Sequence, residues 1–554
     1  MLLIIGLDGA TWDLIDPWIA QRRLPHLARL RQNGWSGALT ATTPPATLPS
    51  WSSFMTGVNP GKHGIFDFTR RRFGTYEVEF VNATFRKAPT IWRRLSDAGQ
   101  RVCVLGLPGT YPPETLNGCM VSGFDSPVTT RADASFVSPP ELAPLVMELG
   151  GFPFADFQEF RVSRAWYRTA LDRLLRGIDV KTRLARTLMR RDAWDCVVVL
   201  FGESDTVAHH YWKFHDPQSP RFDPDGAPEF SDAIRRVYEG LDAAIGTLTA
   251  TVPDATVMLV SDHGFGGAGH KVVYLNRWLE QHGWQSAPRR RRRRSVAAGL
   301  KRMALETLPP GLQARAFRWG GGRWASRLES RSRFGDIEWG RTRAFSEELN
   351  YFPSVWLNLK GREPQGRVAA TDYERVREEI CLALAEWRDP EHGRPIVRRA
   401  WRREELYHGP WVTYAPDIVI EFHFDGAYSY TCLPSRGAPN GEAARVLDAR
   451  ECAGGKLAGM SGSHRSDGIF AVVPPAWAGA PRRRRAHIAD LGATVMALSG
   501  CRPPADFDGQ IIDPMMGSSQ WPTEMCAHVG REESYGRADE EEIAARLGAL
   551  GYLS

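Results

Sequence analysis

Short runs rich in Val, Ile and Leu recur along the chain at Leu2 to Leu7, Val102 to Leu107, Cys196 to Phe201, Thr256 to Val260, Ile418 to Glu421 and Ile469 to Val473. Within them apolar residues follow one another instead of alternating with polar ones, the pattern of strands covered on both faces. Between the runs the apolar positions take a helical period, at Leu24 to Gln32, Thr90 to Ala98, Trp166 to Met189, Asp232 to Leu248 and Tyr373 to Trp387. Strands alternating with helices predict an α/β fold: a mainly parallel central sheet with helices on both faces. Ligands of such sheets gather beyond the carboxyl ends of the strands.

Two stretches break the alternation. Residues 110–160 are rich in Pro and Phe, and residues 288–342 in Arg, Gly and Trp. Both read as cap insertions within a catalytic domain of residues 1–515, where loops carry specificity. Residues 516–554 read as a C-terminal tail in which Glu540 to Leu550 forms a short helix ending at Gly551.

The composition narrows the class. With 554 residues, 43% hydrophobic and 24% charged, a folded soluble protein is expected. The net charge of +6 is concentrated in Arg289 to Arg294 and Arg482 to Arg485. The first of these runs lacks interleaved aromatic residues, so it reads as a solvated loop and no specific nucleic-acid binding is expected. No apolar run is long enough to cross a bilayer. The N-terminal run stops at Asp8 without a basic leader or cleavage site, and reads as a buried strand. Eight cysteines without a C-x-x-C pair suggest reduced thiols and a cytoplasmic protein. The sequence carries no signature of an oligomeric state.

The chemistry lies in scattered acidic and histidine motifs. Asp8 directly follows the first run, Asp205 and His209 are spaced for one face of a helix, Asp262 and His263 follow the fourth run, and His464 precedes the sixth. Imidazole nitrogens and carboxylate oxygens are ligands for two divalent ions, zinc first, with manganese or iron also compatible. A metal pair can stabilise both the attacking and the leaving oxygen of a phosphoryl transfer. Thr47 precedes Pro49, which suits the first turn of a helix, so Thr47 or Leu48 is its cap. A hydroxyl there faces free N–H groups and can serve as a nucleophile; Ser50, Ser52 and Ser53 are rival hydroxyls. Each motif alone has a bland reading, such as a capping Thr or a polar surface His.

In this order, Gly6-Leu-Asp8-Gly9, Thr47-Leu-Pro49, Thr56-Gly-Val-Asn-Pro-Gly-Lys-His63-Gly, Asp205-x-x-x-His209, Ser261-Asp-His263-Gly and Gly462-Ser-His464 resemble the alkaline phosphatase superfamily, most closely its type I phosphodiesterase/nucleotide pyrophosphatase branch. The resemblance implies metal-dependent hydrolysis of phosphate esters. One ion would be held by Asp205, His209 and His464, the other by Asp8, Asp262, His263 and the Thr47 oxygen, with Thr47 as nucleophile toward a small-molecule phosphate ester or nucleotide-like substrate. Ser50 stands where the family often has an asparagine that holds phosphoryl oxygens. Ser50, Trp51, Lys62 and His63 are further candidates for substrate binding. The C/S-x-P-x-R motif of sulfatases is missing. So is an arginine beside the nucleophile, which leans toward diesters over monoesters. A phosphomonoesterase or phosphomutase of the same superfamily is the alternative within the class. A non-catalytic protein docking on anionic surfaces through its arginine runs is the alternative outside it.

Overall fold

In this computed structural model the described residues are 1–126, 134–154, 157, 162–288, 324–438, 441–452, 459–477, 479–513, 535–549 and 552. The arginine run 289–294 and Cys526 lie outside them, as does part of the segment 288–342. The apolar runs become strands: β1 (Leu2–Leu7), β2 (Trp35–Thr40), β3 (Val102–Leu105), β4 (Gly118–Val121), β5 (Cys196–Phe201), β6 (Thr256–Val260), β7 (Gly264–Val273), β8 (Gly462–Arg465) and β9 (Asp467–Val473). The main sheet runs β2-β9-β6-β1-β5-β3-β4, extended at its two edges by the short strands Arg482–Arg483 and Val137–Ser138. Strands β6, β1, β5, β3 and β4 are mutually parallel, while β9 is antiparallel to both its neighbours. Every residue of β1 and β5 is buried, which is why these runs are apolar without alternation.

Helices pack on both faces. One apolar cluster joins Leu3, Ile5 and Leu7 to the long helix α2 (Arg164–Arg191), α3 (Glu203–His215) and α4 (Ala233–Thr251). The other joins Leu2 and Ile4 to α1 (Thr47–Thr56) and α5 (Ile488–Leu498). Helix α1 has all ten residues buried, and Gly57 closes it in the left-handed region. Where α5 crosses α1, a Cβ on Gly492 would lie 2.8 Å from the Gly57 Cα.

The run Ile418 to Glu421 does not join the main sheet. The strand Ile418–Phe422 sits in a separate four-stranded antiparallel sheet, covered by the helix Tyr373–Ala385. A run of its length and composition fits either kind of buried strand, so the pattern could not choose between sheets. Strand β7 crosses between layers: it pairs with β8 near the main sheet, and its far end lies in a five-stranded sheet. No helix among the described residues is long and apolar enough to cross a membrane.

Candidate metal centre and nucleophile

The directions of the strands bring the chemistry to one edge. Strands β1, β5 and β6 run the same way and deliver Asp8, Asp205 and the pair Asp262-His263 just beyond their carboxyl ends. The connection leaving β2 on that side leads into α1 and Thr47, and β9, running the other way, begins there. His464 belongs to β8, paired antiparallel to β7 with His464 opposite Phe265, and not to a loop entering β9. Asp205 and His209 lie on α3, whose N-cap is Gly202. Thr47 is the first residue of α1, after the cap residue Ala46.

Backbone contacts fix these turns. Asp8 N–H donates to the Phe201 carbonyl at 3.0 Å, and Ser204 Oγ donates to the Asp8 carbonyl at 2.6 Å. Gly9 has φ 63, and a Cβ there would come within 3.1 Å of Asp205 Oδ1. The turn at Asp262 does not rely on Gly264 for unusual dihedrals. That glycine is needed for space, because its Cβ would sit 2.0 Å from the Asp467 carbonyl oxygen.

Three histidines converge with their tautomers set. Nδ1 of His209 lies 3.1 Å from the Gly462 carbonyl, Nδ1 of His263 lies 3.0 Å from the Gly264 carbonyl, and Nδ1 of His464 lies 2.9 Å from the Pro45 carbonyl. A carbonyl oxygen only accepts, so each Nδ1 carries the proton and each Nε2 keeps its lone pair. Yet Nε2 of His209 and Nε2 of His464 face each other at 3.1 Å. Two lone pairs at that distance repel unless a cation binds both. Asp205 Oδ1 lies 3.3 Å from the first nitrogen and 3.6 Å from the second. The His263 ring stacks on His464 with centroids 3.7 Å apart, within ligand reach of Asp205 as well, and its Nε2 lies 3.3 Å from Asp262 Oδ2, 3.6 Å from Asp8 Oδ1 and 3.1 Å from Thr47 Oγ1. Asp8 Oδ1, Asp205 Oδ1 and Asp262 Oδ2 are buried and, among the described residues, have no hydrogen-bond donor.

The charges tell the same story. Burial, with the Asp205 charge adding to it, holds the Asp8 carboxyl well above its ordinary range; burial and the charges of Asp8 and Asp205 do the same to Asp262. Burial also opposes ionisation of Asp205, and this carboxyl is held low only against positive charge at the histidines beside it, His209 first, a charge that a bound cation supplies when their Nε2 atoms carry no proton. Burial lowers His263 to about 4 and drives His464 well below the imidazole range. The buried cation closest to hand, Lys181, is already paired with Glu203 at 2.8 Å. Asp8 and Asp262 are thus left without a compensating charge beside Asp205 and the three imidazoles, and the donor set fits divalent cations. Asp389, Glu391 and His392 form another acidic group, but the Lys271 ammonium already sits against it, 2.5 Å from Asp389 Oδ2 and 3.2 Å from Glu391 Oε2.

The four candidates for substrate contact each have a partner within the protein. Ser50 Oγ is 2.8 Å from Thr42 Oγ1, and Trp51 Nε1 donates to Asp8 Oδ2 at 3.1 Å from full burial. Lys62 is paired with Asp508, and buried His63 lies 3.0 Å from Ser53 Oγ. The structure adds residues that the sequence did not signal. Tyr552 places its hydroxyl 2.6 Å from Thr47 Oγ1, and the Tyr351 ring stacks on His464 with centroids 4.0 Å apart. Lys181 and Glu203 line a pocket with Phe124, Phe154, Asp8 and Asp205.

The model of the type I phosphodiesterase/nucleotide pyrophosphatase family matches residues 2–435. The chain belongs to this family. It is a phosphoester hydrolase of a metal-dependent class, and His464 comes from beyond the matched segment. No curated protein sequence matches the chain. Among solved structures, phosphonoacetate hydrolase from Sinorhizobium meliloti 1021, in complex with phosphonoacetate, is similar over 89% of this chain and 94% of its own, with TM-score 0.50 and 17% identity. Murine ectonucleotide pyrophosphatase/phosphodiesterase 5, as an inactive variant in complex with AMP, matches over 92% and 97%, with TM-score 0.46 and 13% identity. At such identity the first likeness speaks for the fold alone, an alkaline-phosphatase-like α/β architecture.

Proposed function

We propose that this phosphoester hydrolase cleaves phosphodiesters with Thr47 as nucleophile and two divalent ions, zinc by preference. Asp205, His209 and His464 would hold one ion; Asp8, Asp262, His263 and the Thr47 oxygen would hold the other. The observation that carries the reading is the opposed pair of unprotonated Nε2 atoms of His209 and His464, 3.1 Å apart. Bound there, the ions would supply positive charge for the oxygens at the reacting phosphorus. Thr47 stands on the first turn of α1, where backbone N–H groups favour an anionic oxygen. Its oxygen would bond to phosphorus as the ester alcohol leaves, and water would then cleave the phosphothreonine. Trp51 would orient Asp8 through its indole N–H. Residues 1–515 form the catalytic body in this reading, with 110–160 and 288–342 as insertions that shape the substrate.

An aryl phosphodiester should be hydrolysed with higher kcat/KM than the matching monoester, because no arginine adjoins Thr47 in the sequence to clamp a dianion. Each tenfold preference corresponds to about 1.4 kcal/mol of transition-state binding. Side-by-side assays on the metal-loaded enzyme test this, and a clear monoester preference overturns the diesterase assignment.

A further inference from the structure

We propose that Tyr552 is an internal competitor of the substrate: it caps Thr47 and must leave before a phosphoryl group can bind. This rests on Thr47 being the nucleophile. Two oxygens 2.6 Å apart have room for a proton between them and for no heavier atom. Phosphorus therefore cannot approach Thr47 from the side that Tyr552 holds, and the adjoining side faces His263 Nε2 at 3.1 Å. The Tyr552 ring fills the space in front of the nucleophile. Its centroid lies 4.3 Å from Phe68 and 5.6 Å from Tyr351, and the residue is 7% exposed.

The chain that carries this ring is docked by specific contacts. Helix α6 (Arg537–Ala549) buries Ile543 and Leu547 in an apolar cluster with Phe68, Phe80 and Phe85. Arg546 donates to the Phe124 carbonyl at 2.7 Å and to the Ser126 carbonyl at 2.5 Å. Upstream of the helix, Tyr535 donates to the Asp125 carbonyl at 3.1 Å. The docked position is therefore a defined state. A ligand that needs the undocked state binds with an affinity reduced by the fraction of molecules undocked, and the coupling is reciprocal, so a bound phosphoryl group must release the cap.

The test uses the zinc-loaded full chain, with inorganic phosphate as the probe in titration calorimetry. Tyr552→Ala should bind phosphate at least about tenfold more tightly than the native protein, and Arg546→Ala, which removes the anchors of the last turn of the helix, should move the same way. Phosphate should also raise amide exchange across 543–549 in the native chain. Unchanged or weaker phosphate binding by Tyr552→Ala overturns the cap. So does loss of ester turnover together with weaker binding, which would make the phenol a catalytic donor. Tighter phosphate binding without turnover of any ester by any variant leaves the cap standing and sinks the esterase reading.

Discussion

His263 illustrates how much one residue can set. Its Nδ1 proton is committed to the Gly264 carbonyl, and burial lowers its pKa from 6.5 to about 4. A protonated imidazole cannot ligate a metal, so acid competes with the ion only below the folded pKa. On this account His263 stays available across the window from 6.5 down to about 4. In the metal-free protein the His263 ring, followed by NMR, should therefore take up its proton with a midpoint near 4; a midpoint at the ordinary imidazole value would contradict it. Thr47 offers the complementary case. Thr47→Ala should lower kcat by at least about a thousandfold while metal content stays near the native level, and Thr47→Ser should keep measurable turnover. A nearly native Thr47→Ala enzyme would move the nucleophile to another hydroxyl. The candidate ligands Asp8 and Asp262 were legible in the sequence because each stands within two residues of the end of a strong apolar run, and Asp205 and His209 because their spacing puts them on one face of the helix that follows another. Tyr552 and the Lys181–Glu203 pair were not. A single aromatic after a helix, and two oppositely charged residues on different helices, carry no periodic signal until folding brings them together.

At the scale of elements, the packing of α5 on α1 sets the position of Thr47, the proposed nucleophile, from behind. A Cβ added to Gly492 would lie 2.8 Å from both the Gly57 Cα and the Phe54 carbonyl oxygen. Gly492→Ala should push the helices apart and cost about 1–3 kcal/mol. The expected readout is a lower unfolding midpoint together with a reduced kcat, since Thr47 rides on α1. Unaltered stability and kinetics would show that the crossing has slack. The main-sheet strands and their flanking helices were readable from apolar period alone. The assignment of Ile418–Phe422 to a second sheet was not, because both sheets bury the same kind of run.

For the whole molecule, the metals should matter to stability as well as to turnover. Asp8 and Asp262 are costly to keep both buried and ionised, and ions that bind only the folded chain stabilise it by mass action. Purified protein should contain close to two divalent ions. A strong chelator should abolish turnover and lower the unfolding midpoint, and zinc or manganese should restore both. Full activity after stripping would end the two-metal reading. His209→Ala should lose at least about a hundredfold in metal affinity while the fold survives.

The ligands come from the first strand, from two connections in the middle of the chain, and from a strand beginning at Gly462. If these residues hold the ions as proposed, the centre stays incomplete during synthesis until the strand Gly462–Arg465 has left the ribosome. An ion captured early could meet Asp8, Asp205, His209, Asp262 and His263 but not His464. On that proposal metal loading reports whether His464 has arrived: a product broken off before Gly462 would carry most of the main-sheet strands and no complete site.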